Sequence, residues 1–186
     1  MRQLVPLWML ILALQGCSFF HHHRSHVAAV FPSSTISQIE GKVLQKSSLL
    51  RGGRLLIVPF NPGVDVSADD AFGKTSLMMV KGISQTLQQS QSSPFTLLMA
   101  NNADQANLFL KGHVVKMETK STWGKWMTKK KYKVMAVNGK LIDQITGEDI
   151  LLFHHTKEAN TPAESWDDLA LAVGEDIGNF ILNSLQ

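Results

Sequence analysis

One cysteine, Cys17, stands in a chain of 186 residues, so no disulfide can form within it and stability must come from packing. No G-x-S-x-G elbow is present to mark a serine nucleophile. Gly73-Lys74-Thr75 matches only the end of a phosphate-binding loop: the glycine required five residues before Gly73 is Ala68, and the segment lies in a helical pattern. Long apolar runs are also missing after the first residues. The one that exists, Leu4 to Leu14, follows Arg2 and leads to Gly16, the build of a secretory signal. It is too short for a permanent membrane helix, which needs about 20 apolar residues.

Leu14-Gln15-Gly16-Cys17 resembles the bacterial lipobox, with Gln15 in the place of the usual small residue. The resemblance implies that residues 1–16 are removed, that the Cys17 thiol is diacylated and that the new N-terminus is acylated as well. The mature chain then has 186 − 16 = 170 residues, enough for one domain with a tether. Three acyl chains anchor stably, since each buried methylene contributes about 0.8 kcal/mol. Ser18 after the cysteine implies, by the same resemblance, export to the outer membrane. Residues 17–38 read as a flexible tether without helical or strand period. His21, His22, His23 and His26 in it suit a transition metal chemically. A flexible segment fixes no geometry, so no metal and no cofactor is expected.

The rest alternates between strand and helix signals. Residues 39–50 fit a short strand or a helix equally well. Arg51-Gly52-Gly53 is a turn, and Arg54 to Phe60 is a buried strand bounded by glycine and proline. Ser67 is placed as the N-cap of a helix over about 68–89, with Asp70 at its third position. Short strands follow at 96–99 and 108–117. Residues 121–130 read as a polar, basic loop carrying Trp123 and Trp126. Strands at 132–143 and 150–156 flank a turn in which Gly147 supplies positive φ. Neighbouring His154 and His155 must point to opposite faces of their strand, one packed and one solvated. Thr161-Pro162-Ala163-Glu164 predicts a capped start to a last helix whose apolar stripe runs from Trp166 to Ile181. Asp167-Asp168 lies off that stripe and reads as solvated. The expected fold is an α/β (α+β) domain over 39–186, a mixed sheet of about five strands with two main helices.

Four stretches together resemble one group of bacterial envelope proteins: the curli secretion lipoprotein CsgG, the N-terminal domain of TolB, and LpoB. They are Leu55 to Phe60 before a long helix, Ala106 to Val114, the hairpin Gly139 to Leu151 with its Asp143 and Thr146-Gly147-Glu148, and the amphipathic C-terminal helix. These are fold motifs, not catalytic signatures. The resemblance implies a non-catalytic protein that works by contact with other envelope proteins. No long amphipathic segment is available to build a membrane barrel.

Charge singles out the contact region. Lys111, Lys116, Lys120, Lys125, Lys129, Lys130, Lys131 and Lys133 face only Glu118, whereas Glu158, Glu164, Asp167, Asp168, Glu175 and Asp176 make the C-terminal part acidic. Trp123, Trp126, Lys129, Lys130, Lys131 and Tyr132 are therefore the expected partner-binding residues, since cations attract anionic partners and tryptophan favours interfaces. The opposing reading is a solvated strand edge, where lysine discourages aggregation. Expected partners are the outer membrane, through the acyl chains on Cys17, envelope proteins, and anionic envelope polymers; the compartment disfavours nucleic acid. The expected role is an accessory or structural subunit of a secretion apparatus or a regulator of wall synthesis. The rival is a periplasmic ligand- or lipid-binding lipoprotein.

Overall fold

The computed structural model describes residues 36–123 and 129–186; of residues 122, 123 and 129 it gives the backbone alone. The signal, Cys17, the histidines 21–26 and most of the tether lie outside the described residues, as does Trp126. The fold opens with β1 (Ser37–Val43), so strand structure begins inside the last two residues assigned to the tether. The ambiguous stretch after it resolves into both readings: β1, then the short helix α1 (Lys46–Arg51). Gly52 (φ 62°) and Gly53 (φ 144°) turn the chain into β2 (Gly53–Ile57). The β-branched and leucine run Leu55-Leu56-Ile57 is buried, as expected of a central strand. Strand pairing lapses over residues 58–60, although the Val58 amide still donates to the Leu110 carbonyl at 2.9 Å. Two further residues, β3 (Asn61–Pro62), then rejoin the sheet.

Helix α2 (Asp70–Gln89) is capped by Asp69, whose Oδ1 accepts the Phe72 amide at 2.8 Å, rather than by Ser67. Asp69 lies in the extended region required of an N-cap and is three residues from a free amide. After it come β4 (Phe95–Leu98), a 3-10 helix (Ala100–Gln105), β5 (Leu108–Trp123), β6 (Lys129–Asp143), β7 (Asp149–Glu158) and α3 (Trp166–Asn183). The start of α3 also differs from expectation. Its cap is Ser165, in a capping box with Asp168, while Glu164 folds back to accept the Asn160 amide and so keeps Thr161–Glu164 out of the helix.

Among the described residues the sheet has seven strands, not five, in the order β1-β7-β6-β5-β2-β4 with β3 alongside β5. Strands β4, β2 and β5 are parallel; β5, β6, β7 and β1 are antiparallel in succession. The two strands beyond the expected five are β1, one of the two readings open for residues 39–50, and β3, which escaped sequence reading. A core of Leu55, Leu108, Leu110, Val137, Leu141 and Leu151 from the sheet meets Met79, Ile83, Val173 and Ile177 from α2 and α3. The helices cross at glycines. A methyl group on Gly174 would sit 2.2 Å from the Met79 carbonyl oxygen, and one on Gly82 would sit 2.3 Å from that of Leu171.

Because β7 is antiparallel to β6, and β6 to β5, strands β2, β3, β5 and β7 all run the same way. Both long helices therefore begin at one end of the sheet, where β3 and β7 finish, and the β5–β6 connection leaves from that end too. No helix among the described residues is long and apolar enough to cross a membrane.

Candidate interaction surface

The described ends of the Lys-rich stretch are strand rather than loop. Strands β5 and β6 continue as a ladder to the pair Trp123–Lys129. Partners for β5 on its other side stop at Val114, and β7 covers β6 only as far as Val134. The pairs Thr119–Lys133, Lys120–Tyr132, Ser121–Lys131, Thr122–Lys130 and Trp123–Lys129 thus form a two-stranded ribbon past the body of the sheet. Four residue steps at about 3.4 Å give it a reach of roughly 14 Å. Lys130 and Lys131 are exposed and Tyr132 is half-buried. Glu118, the acid of this stretch, is held between Lys116 (3.0 Å) and Lys120 (3.5 Å), and the Lys116 hydrogen bond keeps its carboxyl below the usual range.

Residues opposite one another in an antiparallel ladder share a side, and sides alternate along each strand. Lys120, Lys130 and Tyr132 are on one side of the ribbon, Lys131 and Lys133 on the other. Lys133 turns back to the domain: its ammonium donates to the Glu164 carbonyl and sits 6.0 Å from the Trp166 ring centroid. That is the range of a cation–π contact.

Trp166 belongs to a cleft of about 460 Å³ at the base of the ribbon. Its walls come from the β3–α2 loop, the first turns of α2 and α3, and Met117 of β5. This is the end of the sheet at which open α/β folds place their ligands. Phe72, Met117 and Trp166 make the apolar part; Asp65, Asp69 and Asp167 bring three carboxylates against one ammonium, Lys74. Asp167 is therefore not simply solvated. It accepts from Lys74 at 2.6 Å and from the Thr75 hydroxyl at 3.0 Å, which together hold its carboxyl below the usual range. Gly73-Lys74-Thr75 lies in α2 and serves this link between the helices. Sequence reasoning missed the cleft because its residues come from three distant stretches.

A second polar cluster lies where α3 crosses β7 and β1. His154 is exposed and His155 fully buried, as their alternation required. His155 directs Nδ1 to the Gln38 carbonyl (2.8 Å) and Nε2 to Asp176 Oδ2 (3.0 Å). The same Asp176 oxygen accepts from Lys157 at 2.7 Å and Ser37 at 3.0 Å. Burial pushes the Asp176 carboxyl up, but the bonds from His155, Lys157 and Ser37 and the Lys157 charge outweigh it and hold the pKa at about 2. Ser37, His155 and Asp176 are together, yet both ring nitrogens face acceptors and the serine hydroxyl points at the acid. The cluster is arranged as a clasp between β1, β7 and α3. Among the described residues no group of three or more His, Cys, Asp or Glu is placed to hold a metal ion.

These features define a mixed α/β domain with paired helices, a projecting ribbon and an acidic, aromatic cleft beneath it. The fold is shared with the PelC dodecamer from Paraburkholderia phytofirmans, at a TM-score of 0.54 and 14% identity over 81% of this chain and 98% of that one. A single-substitution variant of that PelC gives 0.53 and 15% over the same shares. A lipoprotein from Neisseria meningitidis is a looser likeness, at a TM-score of 0.40 and 13% identity over 70% of this chain and 99% of that one. No family model and no curated protein matches the chain.

Proposed function

We propose that this chain is an outer-membrane lipoprotein, acylated at Cys17 and facing the periplasm, that works without catalysis as an accessory or structural subunit of a cell-envelope complex. The carrying observation is the ribbon. Two strands extend past the body of the sheet, with Lys130 and Lys131 exposed on them. Holding charged side chains there suits a partner surface better than internal stability, because exposed charges contribute little to folding. The resemblance of Leu14–Cys17 to a lipobox supports the address, and the motifs that resemble those of the CsgG, TolB and LpoB group support the envelope role. That a protein of the same fold is found as a dodecamer supports an assembling subunit. Acyl anchoring adds to this, since confinement near one membrane raises the effective concentration of neighbours. The cleft is the observation that favours the other reading, a ligand-binding lipoprotein.

The test replaces Lys129, Lys130 and Lys131 by glutamate in the full-length chain. After crosslinking in intact cells, the variant is expected to lose at least nine-tenths of its co-purifying envelope proteins while its thermal unfolding stays within about 1 °C. Undiminished recovery of the same proteins would remove the ribbon from the account.

A further inference from the structure

We infer that the acidic cleft between the first turns of α2 and α3 receives the Lys-bearing ribbon of a second copy of this chain, in a head-to-tail contact. The inference rests on the subunit reading above and names one of its interfaces. Three observations meet. The cleft gathers Asp65, Asp69 and Asp167 against Lys74, and even with Lys133 at its aromatic wall it has three carboxylates to two ammonium groups. Its aromatic wall already holds an ammonium group, that of Lys133, against Trp166 and the Glu164 carbonyl. A lysine on a β-ribbon is therefore a ligand this site accommodates chemically.

The third observation concerns direction. Lys133 and Lys131 are on the side of the ribbon that faces the chain's own cleft, whereas Lys120, Lys130 and Tyr132 are on the opposite side. On that far side Lys120 is paired with the chain's own Glu118, while exposed Lys130 points away from its own cleft and is placed to meet a neighbour. The two complementary surfaces, basic ribbon and acidic cleft, are different patches on one molecule. Contact between them is heterologous, and such contacts propagate into closed rings or open filaments rather than stopping at a dimer. Charge complementarity of this kind sets orientation and register more than raw affinity.

The experiment uses two full-length, lipidated forms with different tags, one carrying Asp65→Cys and the other Lys130→Cys. Both positions are exposed, so neither change threatens folding. The two are co-expressed and membranes are oxidised with copper phenanthroline. The expected product is a disulfide-linked dimer bearing both tags, absent when either form is expressed alone. Charge reversal gives a second readout: Asp65→Lys lowers the yield of amine-crosslinked multimers at least fivefold, and adding Lys130→Asp restores it. Dimers of the Asp65→Cys form by itself would mean a symmetric contact and overturn the inference. So would a disulfide from Asp65→Cys to a different protein, which would give the cleft to that partner. Multimers that persist without the mixed disulfide would discard this interface and leave the subunit reading standing. A chain recovered only as a monomer without envelope partners would end both.

Discussion

Removing the Asp176 charge tests whether the clasp at α3 holds the edge of the sheet. Asp176→Asn keeps the shape of the side chain but takes the counter-charge from Lys157 and leaves His155, which has no exposed surface, facing an amide. The Asp176 carboxyl titrates at about 2 in the folded chain against an ordinary 3.8. That difference corresponds to roughly 2.5 kcal/mol of folded-state stabilisation. The group is 28% exposed, so the loss belongs below the 3–5 kcal/mol typical of a fully buried pair, at about 2 kcal/mol. For a domain of this size, about 2–4 °C per kcal/mol gives a fall of roughly 4–8 °C in Tm. The sign with pH is fixed by the depressed value. The contribution is complete above about pH 5, and it drains away as pH falls through 3.8 toward 2, where the folded form also takes up the proton. Circular dichroism melts of both proteins from pH 7 to pH 2.5 should show a gap that is constant down to about pH 5 and then narrows to roughly a third of its size by pH 2.5. A gap below about 1 °C at pH 7, or one unchanged between pH 5 and pH 2.5, would refute the reasoning.

Gly174→Ala pushes a methyl group against the Met79 carbonyl where α2 and α3 cross, and should cost about 2 kcal/mol, read as a lower urea midpoint with an unchanged slope. Ser165→Ala removes the hydroxyl that accepts the Asp168 amide at 3.1 Å and should cost about 1 kcal/mol by the same measurement. Cys17→Ser should abolish incorporation of labelled palmitate and move the chain from the membrane to the soluble fraction of a cell lysate.

Much of the sheet could be read directly because β5, β6 and β7 carry short apolar runs, Leu108–Leu110, Val134–Val137 and Ile150–Phe153, and Gly147 marks the turn between the last two strands. The amphipathic stripes of α2 and α3 were equally plain, but their first residues were not. Ser67 and Asp69 both qualify as caps, and so do Thr161 and Ser165, each followed at three residues by an acid. What decides is the partner of that acid: Glu164 is drawn back to the Asn160 amide, which leaves Asp168 to close the box. Strand β1 was ambiguous since an edge strand buries little; only Ile39 and Val43 of its seven residues are partly covered. At the ribbon, Trp123 and the lysines were singled out by charge, yet read as loop because polar residues on both sides of a ladder leave no period to follow. The Asp176 clasp joins residues 19 to 139 positions apart and the cleft joins residues 65–75, 117 and 165–167, and spacing along the chain carries no sign of either.

The central claim is that an acylated domain works as a fixed member of an envelope complex. Crosslinking in intact cells at native expression, followed by separation of the outer membrane, extraction and mass spectrometry, tests it directly. The account predicts the chain in the outer-membrane fraction, acylated at Cys17, in a constant ratio to further copies of itself and to secretion or wall-synthesis proteins. Recovery of a monomer alone would contradict it and return attention to the cleft as a site for a small ligand.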